Sequence, residues 1–273
     1  MQKILNVVVC YQNENEIINY CRELEHQYQS NRIVFVVSIN KISNDKNYRI
    51  LKQELKKSSI NTYIYSTGNN LGYLSGLLFG YNKFCHDSKD TNFQFIIFSN
   101  TDIQYIDFDF FKKLSLTKYD KDILCIGPSV YDPKQKSYRN PYIIKRYRKL
   151  DLILRNIMFD RIYLADIISF LKRKLNRKKN SKLDSQFTYG VLGCYFILKP
   201  ELVNKLFDYY PWELLYGEEL LISEIIRTCK KKCYYDSNLE VIHNTGSVTS
   251  LQKKSKIRKM IVKSNKRILK EFY

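Results

Sequence analysis

Phe93-Gln-Phe-Ile-Ile-Phe-Ser-Asn-Thr-Asp-Ile103 decides the reading of the fold. Five of the six residues from Phe93 to Phe98 are apolar, and the run passes straight into a polar cluster. A strand buried on both faces reads as a continuous apolar run, so this stretch predicts a central strand of a parallel sheet. Its exit carries Asn100 and Asp102. Ligands of open α/β sheets bind beyond the carboxyl ends of the strands, where a carboxylate two residues from an amide oxygen suits a hard divalent cation. The same residues equally suit a turn or a helix cap, and on this stretch alone both readings stand.

Upstream, residues 4–10 (ILNVVVC) and 33–39 (IVFVVSI) are further strand-like runs. Each ends in a polar cluster, Tyr11 to Glu16 and Asn40 to Asp45. Ile17, Ile18, Cys21 and Leu24 then fall at helical spacing, residues 47–58 read as a second helix, and 62–65 as a short strand. Strands alternating this closely with helices imply right-handed crossovers and a mostly parallel sheet. Gly72, Gly76 and Gly80 recur every four residues on the next helix. Such a stripe admits either a ligand or close helix-on-sheet packing.

Downstream, residues 107–116 read as a helix and 123–127 as a strand. From 145 to 182 there are thirteen Lys or Arg against three Asp, with enough Leu and Ile for one or two basic amphipathic helices. A solvated surface helix and a membrane-facing or acceptor-phosphate role are both open for that segment. Residues 186–199 return to strand character, and Gly190 and Gly193 within them point to something approaching closely, such as a ligand. Glu218 and Glu219 open a helix, where the dipole favours carboxylates whether or not they act chemically. Residues 251–273 hold nine basic residues, with Ile257, Met260, Ile261, Ile268 and Phe272 on one helical face, a pattern suited to a membrane surface.

The 273 residues suffice for a sizeable core, and a hydrophobic share of 44% excludes a disordered chain. The formal charge of +19, from 46 Lys plus Arg against 27 Asp plus Glu, favours a polyanionic partner: nucleic acid, a phosphorylated substrate or an anionic membrane. The seven cysteines lack zinc-ligand spacing and suit a reducing compartment. The N-terminus reads directly as strand with no basic-then-apolar signal sequence, and no apolar run reaches the roughly 18 residues of a spanning helix. The expected location is cytoplasmic.

Together these motifs resemble the inverting nucleotide-sugar glycosyltransferases of family 2, and in particular their rhamnosyl- and galactofuranosyl-transferase-like branch. The resemblance covers residues 4–250 and rests on order as well as content. Tyr11 and Asn13 look like the family's first nucleotide-contacting segment; Asn40, Ser43 and Asp45 look like its second, with Ile39 where the family usually has Asp. Asn70-Leu-Gly72-Tyr-Leu-Ser-Gly76 is similar to its donor-contacting Asn-x-Gly segment. Ser99-Asn100-Thr-Asp102 is similar to its Asp-x-Asp motif, with Asn100 in place of the first carboxylate. Tyr216-Gly-Glu218-Glu219 resembles the block that ends in the acceptor-activating base, and His243-Asn-Thr-Gly-Ser247 the closing His element.

The resemblance implies an α/β GT-A fold, a Rossmann-like, mostly parallel sheet flanked by helices. It would occupy residues 1–250, with a nucleotide-binding half at 1–105, an acceptor half at 106–250 that includes the basic segment 145–182, and a basic tail at 251–273. It implies Glu219 and Glu218 as catalytic residues, Asp102 and His243 as ligands of Mn²⁺ or Mg²⁺, and Asn100 among the donor contacts. The implied partners are a nucleotide-sugar donor, a saccharide or lipid-linked acceptor and an anionic membrane surface, on the inner face of the cell membrane and in surface-polysaccharide synthesis. Two rivals compete. A nucleic-acid-binding protein fits the charge and the 23 tyrosines but leaves the carboxylates unexplained. A nucleotidyltransferase would need a Gly-rich basic signature that residues 11–16 lack.

Overall fold

The computed structural model describes residues 3–88, 91–160, 181–244 and 254–273. The amino-terminal half alternates strands and helices: β1 (Lys3–Tyr11), α1 (Glu14–Glu25), β2 (Ile33–Lys41), α2 (Asp45–Lys56), β3 (Asn61–Ser66), α3 (Tyr73–Ser88) and β4 (Phe93–Ser99). There follow β5 (Ile103–Tyr105), α4 (Phe110–Leu116), β6 (Ile123–Asp132), β7 (Ser137–Tyr138), α5 (Lys149–Asp160), β8 (Gln186–Thr188) and β9 (Tyr195–Leu198). The last elements are α6 (Pro200–Leu206), α7 (Glu218–Thr228), β10 (Lys232–His243) and α8 (Lys254–Phe272).

All these strands join one sheet in the order β3-β2-β1-β4-β9-β6-β10-β5, with β7 paired to β6 and β8 to β10. β3, β2, β1 and β4 run parallel, as do β6 and β10. β9 lies between β4 and β6, antiparallel to both. The sheet is covered on both faces, which is why its strands read as unbroken apolar runs. Leu5, Val7, Ile96 and Phe98 enter one core layer, while Ile4, Val8, Phe95 and Ile97 enter the other. Burying each such side chain contributes about 1.5–3 kcal/mol. Gly80 of α3 sits against Ser38, Val7 and Val36, and Gly76 against Val9 and Asn40. At these two positions the glycine stripe serves helix-on-sheet packing.

Three expectations change. The strand expected over 186–199 is two short ones, because the chain must leave β10 and cross the sheet to reach β4, and Gly190 and Gly193 lie in the crossing. The polar exit of β4 continues at once into β5, an antiparallel partner of β10. The helix expected from residue 107 begins at Phe110.

The basic segment 145–182 provides α5; the reading of residues 161–180 as helix, and of 245–247 as the end of the His element, lies outside the described residues. The basic tail is a helix, but Ile268 is fully buried and a buried hydrogen bond of 2.9 Å joins Asn265 Nδ2 to Asn156 Oδ1 on α5. That part of its apolar face is therefore covered by the protein itself. No described helix is long and apolar enough to cross a membrane.

Candidate active site

Strand direction and register assemble one rim of the sheet. The parallel strands β1, β2 and β4 end there, and the antiparallel β9 begins there. Ser99 pairs with Tyr195, so the next residue, Asn100, donates its backbone N–H to the Cys194 carbonyl at 2.8 Å. Ile103 pairs with His243, and the Asn244 N–H reaches the Asp102 carbonyl at 2.9 Å. Two residues 141 positions apart, Asp102 and His243, are brought side by side by that register.

Asp102 Oδ1 lies 3.1 Å from His243 Nε2, and Asn100 Nδ2 lies 3.3 Å from the same ring nitrogen. The side-chain amide orientation of Asn100 is assigned by its hydrogen bonding, and a half-turn presents its oxygen instead. Burial opposes a charge on His243, but Asp102 and then Cys194 more than reverse that, and its pKa is pushed up to about 10. Asp102 Oδ1 nevertheless makes no aligned hydrogen bond, and His243 Nδ1 has no partner among the described residues. Buried polar atoms are almost always satisfied, so these two stand out as atoms able to take a ligand.

Beneath this pair a chain of buried hydroxyls fixes the end of β4. Tyr20 OH meets Ser99 Oγ at 2.8 Å and Tyr105 OH at 2.9 Å, and Tyr105 OH meets Tyr195 OH at 2.9 Å. Asn6 closes the network through Tyr20 and Ser99. Burial pushes the Tyr20 hydroxyl up to about 12, so these phenols stay neutral.

The acidic pair stands across a short loop. Gly193 N–H donates to Glu219 Oε1 at 3.2 Å, while the Gly193 carbonyl accepts from Tyr73 OH at 3.0 Å. The backbone of one residue thus links the first residue of α3 to a carboxylate in the first turn of α7. The residue after it, Cys194, carries the carbonyl that holds Asn100. A Cβ on Gly193 would lie 2.8 Å from Glu219 Oε1, so the glycine exists to admit that carboxylate. Gly190 likewise leaves room for the Ser223 hydroxyl. The close approach expected at these glycines is made by the chain's own side chains.

Glu218 is buried, its Oε1 has no partner among the described residues, and burial together with the neighbouring Glu219 pushes its carboxyl up to about 8. Burial raises Glu219 too. Adjacent carboxylates in a low dielectric cannot both ionise cheaply, so the pair retains a proton at neutral pH. Tyr142 stands beside them: the charge of Glu219, foremost, pushes its hydroxyl up to about 12, yet the residue is exposed. Its segment is pinned by reciprocal 2.9 Å backbone bonds between Ile143 and Gly190 and by the Leu192 N–H, which donates to Asn140 Oδ1 at 2.8 Å.

The remaining residues expected at the site lie along the same rim. Asn13 Oδ1 accepts the Tyr11 N–H at 2.8 Å, and Asn13 Nδ2 donates to Thr101 Oγ1 at 2.8 Å, tying the end of β1 to the end of β4. Asn40 Nδ2 donates to the Gly72 carbonyl at 2.7 Å, and the Gly72 N–H donates to Asn70 Oδ1 at 3.0 Å. Asn40 Oδ1 is buried without a partner among the described residues. Gly72 has φ +84°, and a Cβ there would lie 2.4 Å from the Leu214 carbonyl oxygen, so the approach to α7 packs directly on the start of α3. Asp45 is exposed in the first turn of α2. Asn40, Asn70, Gly72, Gly193 and Glu219 are thereby linked by contact, and Asn100, Asp102 and His243 join them through Cys194.

Tyr73, Tyr142 and the Tyr20–Tyr105–Tyr195 network were not singled out by sequence reasoning. Tyr73 stood inside the quoted Asn70–Gly76 motif, which was the signal available for it. The phenol network joins residues far apart in sequence, and no local pattern reports it.

No family model matches the chain, and no curated protein matches it in sequence. Among solved structures it is similar to GalNAc-T7 crystallised with UDP, GalNAc and Mn²⁺, at a TM-score of 0.64 and 12% identity over 99% of this chain and 48% of that one. It is also similar to the mannosyltransferase PcManGT from Pyrobaculum calidifontis in complex with GDP-Man and Mn²⁺, at 0.53 and 10% identity over 90% of this chain and 58% of that one. The chain spans about half the length of the solved structures it matches. At such low identity the likeness establishes the fold. It is the GT-A glycosyltransferase fold, α/β with a mostly parallel, mixed sheet flanked by helices.

Proposed function

We propose that this chain is an inverting, metal-dependent glycosyltransferase of the family-2 type. It moves a hexosyl or deoxyhexosyl group from a nucleotide-sugar donor to a glycan or lipid-linked saccharide acceptor, in bacterial-type capsule or O-antigen synthesis at the inner face of the cell membrane. The observation that carries the reading is the convergence, around Gly193 and Cys194, of a carboxylate–histidine pair and a buried carboxylate pair at one rim of a GT-A sheet. The nucleotides, sugars and Mn²⁺ bound by the two similar structures support a nucleotide-sugar donor and a divalent cation.

The residues present fit such a cation. Asp102 supplies a carboxylate oxygen with no aligned hydrogen bond, His243 an imidazole, and Asn100 an amide oxygen after rotation. Hard and borderline dications accept this set, with diphosphate oxygens completing the shell. When bound, the dication would offset the charge developing on the departing nucleoside diphosphate.

Glu219 is the base. Its Oε1 is oriented by the Gly193 N–H, and Glu218 keeps the pair's shared proton, leaving the negative charge on Glu219 to take a proton from the acceptor hydroxyl. A positioned base contributes about 10²–10⁴ in rate. Attack from the face opposite the leaving group in one displacement inverts the anomeric centre. Asn13, Asn40 and Asn70 offer amide groups at the strand ends where the donor's nucleoside would lie, with Tyr11 and Asp45 beside them.

The test is a screen of nucleotide sugars with and without Mn²⁺, read by thermal shift and nucleotide release. The active donor should stabilise the protein in a Mn²⁺-dependent way, and Asp102→Ala and Glu219→Gln should each abolish transfer while the protein stays folded. Full transfer activity in both variants would refute the assignment.

A further inference from the structure

Helix α5 is apolar on two faces, and the described residues cover only one. At about 100° per residue, Leu150, Leu154 and Ile157 fall within about 60° of arc. They are 67%, 57% and 45% exposed. Leu152 and Asn156, on the opposite side, are buried, the latter against Asn265 of α8. A surface helix ordinarily turns charge outward opposite its buried stripe, and a helix apolar on both sides implies a second partner. Tyr142 and Ile144, also exposed, continue apolar surface toward the helix.

The charge flanking the stripe specifies the partner. Residues 145–160 hold five Lys or Arg against two Asp. Lys145, Arg148 and Lys149 stand exposed at and before the first turn of α5. Arg148 pairs with Asp151 at 3.2 Å and Lys149 Nζ donates to the Tyr273 carbonyl at 3.1 Å, yet both side chains keep their charge at the surface beside Lys145, where cations oppose the helix dipole. A second copy of this chain would meet the stripe with the same basic flanks and the same net charge of +19. An anionic bilayer instead matches both features, taking the leucines and isoleucine into the headgroup boundary and the basic residues onto its phosphates.

The geometry points to the outer face of α5 as the surface on which this protein docks onto an anionic membrane, with Leu150, Leu154 and Ile157 inserted and Lys145, Arg148 and Lys149 on lipid phosphates. Resting on the glycosyltransferase reading, it also sets the orientation. The segment leading into α5 carries Tyr142 and the Ile143–Gly190 pairing beside Glu219, so the docked face brings the exposed Tyr142 edge of the candidate site toward the bilayer, where a lipid-linked acceptor would be presented.

The experiment is co-sedimentation of the full chain with vesicles of phosphatidylcholine alone and of equimolar phosphatidylcholine and phosphatidylglycerol. The wild type and Leu150→Gln/Leu154→Gln/Ile157→Gln are compared, a triple exchange that leaves net charge unchanged and alters only exposed side chains. The expected result is binding to the anionic vesicles that weakens with salt, little binding to the neutral ones, and at least about a tenfold loss in the triple variant. Thermal melting and donor hydrolysis in vesicle-free solution should match wild type. Equal binding of both proteins, equal binding to both vesicles, no binding by wild type, or wild-type dimers that the triple exchange dissociates would each overturn the proposal. Vesicle binding needs no sugar chemistry, so its failure is separable from failure of the donor screen.

Discussion

Gly193→Ala tests the site most directly, because its effect is set by one measured contact. The added Cβ would lie 2.8 Å from Glu219 Oε1 and 3.1 Å from its Cδ, where ordinary contact begins at 3.4 Å. The carboxylate must therefore withdraw by 3.4 − 2.8 = 0.6 Å and strain or lose the Gly193 N–H bond that now orients it. The atom displaced is the far end of a flexible side chain and Gly193 is not in a left-handed conformation, so the fold tolerates the change at a cost of about 1 kcal/mol or less. Catalysis does not. Misplacing a reacting group by 1 Å costs on the order of 10²-fold, so a shift of this size should lower kcat by about 10- to 100-fold. Nucleotide release with saturating acceptor measures kcat, and Mn²⁺-dependent thermal stabilisation by the donor measures binding at the Asp102 end. The expected pattern is a lost kcat with donor binding kept. Wild-type kcat in a folded variant would refute the role given to Glu219, and equal loss of donor binding would refute the division of labour between the two ends of the loop.

Two further predictions concern protons. Glu218, pushed up to about 8 from an ordinary 4.5, keeps in the folded state a proton that the unfolded chain has already released, so its stabilisation is complete below about pH 4.5 and is lost as pH rises through about 8. Melting temperatures from about pH 5 to about 9 should fall more steeply for wild type than for Glu218→Gln, and parallel curves would remove the pair's shared proton from the account. His243, pushed up to about 10 in the metal-free protein, must shed a proton to ligate Mn²⁺, so the apparent affinity should drop about tenfold for each unit of pH decrease. Calorimetric Mn²⁺ titrations in buffers of different ionisation enthalpy count that proton. A count of zero would exclude His243 as a ligand.

The fold was legible wherever burial on both faces leaves a long apolar run, as at β1, β2 and β4, and the oxygen-bearing exits of those strands lie together along one rim. Asp102 and His243 could be named from motif order, but their adjacency depends on the antiparallel register of β5 on β10, and residues 103–105 are too short to announce a strand. Gly190 and Gly193 were visible as positions of close approach, yet sequence does not say what approaches; Ser223 and Glu219 do. The amphipathic tail shows the same limit. Periodicity identified the apolar face holding Ile268, and only the structure shows that α5 and the core cover part of it.

β9 has a consequence beyond topology. Because it enters the sheet against the direction of β4 and β6, its first residues, not its last, open onto the rim where the other strands terminate. A single span of backbone between Gly190 and Tyr195 therefore acts as a ruler, its Cys194 carbonyl holding the Asn100 backbone two residues from Asp102 and its Gly193 N–H holding the Glu219 carboxylate. Lengthening that span by one residue would shift Glu219 relative to Asp102 without substituting either, which under the proposed function would alter the reach from donor to acceptor.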